Sequence, residues 1–369
     1  MTTETSPHLS SILAKEPPVR RLNYIGSKFK LLDWIDSTIL EKTGWVNLEN
    51  RRIVDAFSGT GIVAHHFRKR GATVISNDAE LYSAIISHAF ARSILTRSCR
   101  EFIERINREL ASAAESFAPG FITKNYSPFE TCERMFFTLD NAKKIDYVRM
   151  QIELAADAFS EDEHKFLLAS LLVSADAVSN VPAVYGCYLK NFKAKALKSF
   201  VLTEIHDCET PAHEHSSSLH LDVLSNQFID AVNSTGVIDL VYLDPPYNER
   251  QYSKNYFPLN EIAKSPTGRL ATTVLKGKTG IPDDCFISPF CKKGKSAEAA
   301  FERLFRDIHA RWIFLSYSSE SLVSQEKMLE IAGKYGEVSV IEREYKRFKS
   351  FEYNEDLPVT EYLFCLRKR

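Results

Sequence analysis

The chain has 369 residues, 44% of them hydrophobic and 26% charged, with a formal net charge of -1 at pH 7. This length supports a full core and two domains, and the near-zero charge gives no global basic signal for nucleic acid, although a local one can sit on a neutral protein. No apolar run approaches the roughly 20 residues of a membrane span, the polar N-terminus has no apolar signal core, and the seven cysteines form no C-x-x-C pair, so a cytoplasmic protein with reduced thiols is expected.

In chain order, residues 1–18 read as a loose tail. Tyr24-Ile25-Gly26-Ser27-Lys28 then leads into a helix over residues 29–40 with apolar residues at helical spacing. A Gly-Ser-Lys at a helix N-terminus can hold an anion through its free amides and the lysine. Next comes a short strand ending at Asp55, followed by Ala56-Phe57-Ser58-Gly59-Thr60-Gly61, a helix from Ile62 and a second strand ending at Asp78. Strand, Gly-x-Gly turn, helix, strand, acid is a nucleotide-binding βαβ unit. The glycines admit a ligand close to the backbone, and Asp78 can accept hydrogen bonds from two ribose hydroxyls. Ala64 stands where the dinucleotide fingerprint has its third glycine. That argues against a pyrophosphate and for an adenosine cofactor without one.

Residues 81–110 have a helical pattern, and βαβ alternation is then lost until about residue 202. Another helix is expected over residues 161–179. Lys190, Lys193, Lys195 and Lys198 cluster with Tyr185, Tyr188 and Phe192, a mixture suited to phosphate and base contacts as well as to a plain solvated face. His206, Cys208, His213, His215 and His220 fit no standard zinc spacing, and no metal is expected. Asp222 follows another strand end, where it would lie beside the amino group of the cofactor's adenine.

Residues 237–243 read as a buried strand stopped by Asp244-Pro245-Pro246-Tyr247. The prolines stiffen the loop. It presents a carboxylate, a fixed carbonyl and an aromatic face, which together can hold a planar base carrying an exocyclic amine: Asp244 and the Pro245 carbonyl accept its two hydrogens and Tyr247 stacks on the ring. From Lys254 to Lys295 there are eight Lys or Arg against three acids, a flexible basic segment. A buried strand over residues 312–318, a helix over 325–335 and an antiparallel pair over 338–346 and 361–366, joined through Arg347-Phe348-Lys349-Ser350, complete the chain.

Taken together, the Tyr24–Lys28 motif, the Ser58-Gly59-Thr60-Gly61 loop, Asp78, Asp222 and Asp244-Pro245-Pro246-Tyr247, in that order around a long middle segment, resemble the Dam-like, α-group DNA adenine-N6 methyltransferases of restriction–modification systems. Gln251-Tyr252-Ser253-Lys254-Asn255-Tyr256 and Gly277-Lys278-Thr279-Gly280 are similar to stretches of the restriction-system members. The resemblance implies an α/β fold: a Rossmann-like class I methyltransferase sheet with helices on both faces, built from residues 19–82 and 203–369. Residues 83–202 would be an inserted, mainly helical target-recognition domain. It further implies S-adenosyl-L-methionine as cofactor, held by Tyr24, Lys28, Asp55, Phe57, Gly59, Gly61, Asp78, Asp222 and Asp244. The catalytic set would be Asp244, Pro245, Pro246 and Tyr247. The partner would be double-stranded DNA, contacted by Lys190, Lys193, Arg250, Tyr252, Lys254, Lys276 and Lys278, and the enzyme would work beside a cognate restriction endonuclease without a stable complex.

The expected chemistry is methylation of N6 of an adenine flipped out of the duplex. Cytosine N4 as the target, an RNA substrate and a catalytically silent nucleic-acid-binding relative remain open, because the catalytic loop suits any exocyclic amine.

Overall fold

The computed structural model describes residues 19–112, 117–206, 208, 211–266, 275–345 and 359–369. The expected N-terminal tail, the Arg347–Ser350 connection and part of the basic segment lie outside these. A 3-10 turn, Lys28–Leu31, precedes α1 (Leu32–Thr43), β1 (Arg52–Asp55), α2 (Ile62–Lys69), β2 (Thr73–Asn77) and α3 (Leu81–Ala91). Four helices follow: α4 (Arg97–Ser112), α5 (Phe121–Tyr126), α6 (Leu139–Leu154) and α7 (Glu161–Ala177). The helical stretch over residues 81–110 is therefore two helices rather than one. Then come β3 (Ser217–Leu219), α8 (Asn226–Ser234), β4 (Ile238–Leu243), α9 (Tyr252–Ala263) and the small hairpin β5 (Leu275–Lys276) and β6 (Ile281–Pro282). The chain ends with α10 (Lys295–Asp307), β7 (Ala310–Ser318), α11 (Gln325–Gly333), β8 (Gly336–Tyr345) and β9 (Val359–Lys368).

Seven strands form one sheet in the order β3-β2-β1-β4-β7-β9-β8. The first five are mutually parallel, and β9 runs antiparallel to both β7 and β8. The strands are apolar because both faces are covered. Alternate residues go to opposite layers: Ile53, Val74, Leu240 and Tyr242 pack with α1 and α2, while Val54, Ile75, Val241 and Leu243 pack with α8, α10 and α11. Val237, expected to open the β4 strand, lies outside it and is exposed.

A third core is mainly helical. It gathers α3 to α7, connecting residues such as Phe136, Phe137 and Tyr185 and, from beyond Asp244–Tyr247, Tyr256, Phe257, Leu259 and Ile262 of α9. This corrects the expectation of a flexible segment from Lys254 onward: its first ten residues form a helix with a buried apolar face, bent at Tyr256 before Pro258. Every residue of α3 from Tyr82 to Ala91 is buried, since the helix lies between the sheet and the helical layer.

The fold positions the site through its topology. The chain leaves β1 toward β2 on one side, while β4 fills the other side of β1. Ligands of open α/β sheets bind where the strand order switches, at the C-terminal strand ends. Along this edge β3, β2, β1 and β4 lead in turn to Asp222, Asp78, the glycine loop and Asp244.

Candidate active site

A cleft opens to solvent at that edge, where open α/β sheets bind their ligands. Of the expected residues, Tyr24, Lys28, Phe57, Gly59, Asp78, Asp222, Asp244, Pro245, Pro246, Tyr247 and Tyr252 all line it. Asp55 and Gly61 lie behind the lining. Gly61 is there for backbone reasons: φ is +71°, and a Cβ would stand 2.8 Å from the Phe90 ring and 2.9 Å from the Ser87 Cα. At Gly59, φ is +50° and a Cβ would meet the Tyr24 ring at 3.1 Å.

Asp78 organises this loop. One of its oxygens accepts the Gly59 amide at 2.8 Å and the other the Glu80 amide at 2.9 Å. Burial raises its pKa, and these amides pull it back. Asp55 is buried at the end of β1, with the Ala64 amide and the Ser58 hydroxyl acting on its carboxyl. Burial, with Asp244 and Asp78 nearby, drives its pKa well above the usual range. Asp222 Oδ1 accepts the Leu224 amide at 2.9 Å.

Lys28 is not the free anion-binding lysine that its motif predicts. It is buried, its Nζ lies 2.8 Å from Asp244 Oδ1, and it also donates to the Gly26 carbonyl at 3.1 Å. Burial lowers its pKa, but the Asp244 and Glu361 carboxylates outweigh that and hold the ammonium above its ordinary range. Burial raises the Asp244 pKa while Lys28 pulls it down, leaving it above an ordinary aspartate.

The N-terminal motif is held in place by α9. Tyr252 donates its hydroxyl to the Ile25 carbonyl at 3.2 Å, and the Tyr256 hydroxyl accepts the Ile25 amide at 2.9 Å. The Tyr24 ring stacks on Tyr256 with centroids 4.6 Å apart. Tyr252, expected at the DNA, thus has its hydroxyl turned to the protein's own backbone. Lys193 likewise places its ammonium on the Val181 carbonyl. Lys190, Arg250, Lys254, Lys276 and Lys278 are exposed, away from the cleft lining.

Several lining residues were not among the expected site residues. Glu80 is buried beside Asp78, with its pKa pushed up to about 7 by burial, and it accepts the Asn260 side-chain amide at 2.6 Å. Gln251 grips Ser288 through both ends of its amide, at 3.2 and 2.8 Å. This brings Phe286 and Phe290 into the lining, with Phe290 edge-on to Phe57 at 5.2 Å. Glu80, two residues past a strand-ending acid, and Gln251, four residues past Tyr247, carried local signals; Phe286, Ser288 and Phe290 come from a loop more than 30 residues further along the chain.

The histidines scatter. His206 contacts the Ala89 carbonyl and His220 the Ala79 carbonyl, while His213 and His215 sit in the exposed loop. Among the described residues no group of three or more His, Cys, Asp or Glu is placed to hold a metal. No helix among them is long and apolar enough to cross a membrane.

The cleft's charged lining is Asp78, Glu80, Asp222 and Asp244 against Lys28 alone, and that lysine is already paired. Such a lining repels a pyrophosphate and favours a ligand carrying hydroxyls, amines or positive charge.

Comparison with known proteins agrees. Residues 24–331 match the D12 class N6 adenine-specific DNA methyltransferase family. The chain is 38% identical over 346 residues to the Type II methyltransferase M.CviAII of Paramecium bursaria Chlorella virus 1, covering 94% of this chain and 98% of that protein. It is 37% identical to the Type II methyltransferase M.NlaIII of Neisseria lactamica over 335 residues, covering 89% and 93%. With the Type II methyltransferase M.FokI of Planomicrobium okeanokoites the identity is 32% over 361 residues, 94% of this chain and 53% of the relative.

Proposed function

We propose that this chain, which belongs to the D12 class N6 adenine-specific DNA methyltransferase family and is an adenine-specific DNA methyltransferase, takes its methyl group from S-adenosylmethionine and acts on an adenine turned out of the duplex. Family membership decides the open alternatives for adenine over cytosine and for DNA over RNA. Since its relatives M.CviAII and M.NlaIII are named Type II methyltransferases, we place it in a restriction–modification system of that type, beside a cognate endonuclease.

The observation that carries the reading is the buried Lys28–Asp244 pair at the switch point of the sheet, next to the Asp78-held glycine loop. The residues fit the cofactor. Asp78 and Asp222 supply acceptors for ribose hydroxyls and an adenine amine, and Tyr24 and Phe57 supply apolar faces. The Gly59 backbone leaves the close approach open. Bound there, S-adenosylmethionine supplies an electrophilic methyl group.

The chain's own groups prepare the nucleophile. The adenine amine is weak because its lone pair is delocalised into the ring. Hydrogen bonds accepted by Asp244 and the Pro245 carbonyl localise that pair on N6. Asp244, kept ionised by Lys28, then stabilises the positive charge that develops on the nitrogen. Tyr247 stacks on the base, and the cleft fixes the reacting atoms in one orientation. The helical layer, residues 83–202, is the proposed target-recognition part. Lys190, Arg250, Lys254, Lys276 and Lys278 are the proposed backbone contacts, with smaller parts for Lys193 and Tyr252, whose polar atoms are engaged within the protein.

The test is transfer of labelled methyl from S-adenosylmethionine to unmethylated duplex DNA, followed by nucleoside analysis. Label is expected in N6-methyladenine. Asp244→Ala should lower the rate by on the order of 100-fold or more at saturating cofactor; a variant near the wild-type rate would remove Asp244 from the chemistry.

A further inference from the structure

Between β5 and β6 the chain turns through Gly277-Lys278-Thr279-Gly280. Lys276 and Lys278 are exposed there, and Gly277 and Gly280 take the left-handed φ values +68° and +71°. A two-residue-long hairpin cannot hold its own shape in water. This one is held from outside by Arg134, a residue of the helical layer more than 140 positions earlier. Its Nε donates to the Lys278 carbonyl at 3.0 Å, one terminal nitrogen reaches the Gly277 carbonyl at 3.5 Å, and the other donates to the Asn125 carbonyl at 3.0 Å. The neighbouring Tyr126 hydroxyl donates to the Gly280 carbonyl at 3.0 Å. The fit is close: a Cβ on Gly280 would stand 2.7 Å from the Arg134 guanidinium carbon. Among the described residues no carboxylate pairs with Arg134 or Lys278, while Lys276 lies 4.0 Å from Asp283.

We propose that Arg134 is a positioning residue for DNA binding: it fixes the Gly277–Gly280 turn so that Lys278 meets the DNA backbone in one geometry. This rests on the assignment of Lys278 to DNA above. The planar guanidinium suits the task because its forked donors span carbonyls on two segments at once, which a lysine ammonium on a flexible stem does not reproduce. The turn also leads within six residues to Phe286 in the cleft lining. A rigid turn therefore sets where the backbone lies relative to the site of methyl transfer.

The experiment measures duplex affinity by fluorescence anisotropy at several salt concentrations. It compares wild type, Arg134→Ala, Arg134→Lys, Lys278→Ala and the Arg134→Ala/Lys278→Ala double variant. Binding of S-adenosylhomocysteine is measured in parallel. Arg134→Ala and Lys278→Ala should each weaken DNA binding about tenfold and each reduce the salt slope by about one ion. The double variant should be no weaker than the weaker single variant. Arg134→Lys should behave like Arg134→Ala, and S-adenosylhomocysteine binding should hold in all four.

Additive losses, or near-wild-type affinity in Arg134→Lys, would make Arg134 a direct phosphate contact and overturn the proposal. Parallel loss of S-adenosylhomocysteine binding would make it a general structural residue and overturn it as well. If Lys278→Ala binds DNA normally, the assignment of the turn to DNA has failed, whatever Arg134 does.

Discussion

Lys28 and Asp244 form an ion pair in which each favours the charged form of the other against the burial that disfavours it. Removing the lysine removes the influence that keeps the Asp244 pKa down, while the burial that raises it remains. In the proposed mechanism the carboxylate is the active form, so activity is expected to fall as pH drops through the Asp244 pKa. In Lys28→Met that acid limb should move to higher pH, with the rate at neutral pH reduced by on the order of 100-fold. A pH–rate profile of single-turnover methyl transfer checks this; an unmoved limb would mean that Asp244 does not report on the rate. The role of this lysine could not be read from the chain, because Gly26-Ser27-Lys28 looks like an anion site and its true partner lies over two hundred residues away. Asp55, Asp78 and Asp244 are easier to place: each stands at or just past the end of an apolar strand, and parallel strands bring such ends to one edge.

At the scale of the element, α9 joins the catalytic loop to the rest of the molecule. It begins five residues after Tyr247, clamps Ile25 through two tyrosine hydroxyls and buries its apolar face in the helical core. Tyr256→Phe leaves the Ile25 amide without its acceptor. It should cost about 1 kcal/mol of stability and weaken cofactor binding more than DNA binding, because the loosened segment carries Tyr24 and Lys28. Thermal unfolding and S-adenosylhomocysteine titration measure both effects, and equal loss of the two ligands would point to a general disturbance. The sequence reading took this stretch for a flexible basic segment. Its lysines are real, but the apolar set Tyr256, Phe257, Leu259 and Ile262 is interrupted by Pro258, which masks the helical period. The central strands β1, β2, β4 and β7, by contrast, were found to within a few residues, since fully buried parallel strands read as unbroken apolar runs; the strand end expected at Asp222 lies earlier, at the half-buried edge strand Ser217–Leu219, whose serines give no such run.

At the scale of the whole molecule, the sheet and the helical layer share α3, and α9 crosses between them. The two parts should therefore unfold together. The three tryptophans, Trp34, Trp45 and Trp312, all lie in the part built around the sheet, whereas far-UV circular dichroism also reports α4 to α7. Thermal curves followed by tryptophan fluorescence and by circular dichroism should coincide. Separate midpoints would mean that the helical layer is an independent folding unit. Saturation with S-adenosylmethionine at about a hundred times its Kd should add roughly 2.7 kcal/mol to that single transition.

The path of α9 also bears on how such enzymes can change targets by recombination. If the helical layer reads the sequence, exchanging residues 83–202 alone would leave the resident α9 facing a foreign core, and the resident Gly277–Gly280 turn without its Arg134. The inheritable unit is instead discontinuous, with one piece on each side of the catalytic motif. A viable new specificity then requires two coordinated crossovers, or slow mutation on both sides of a seam, so neighbouring lineages should diverge in target far less readily than the length of the middle segment would imply.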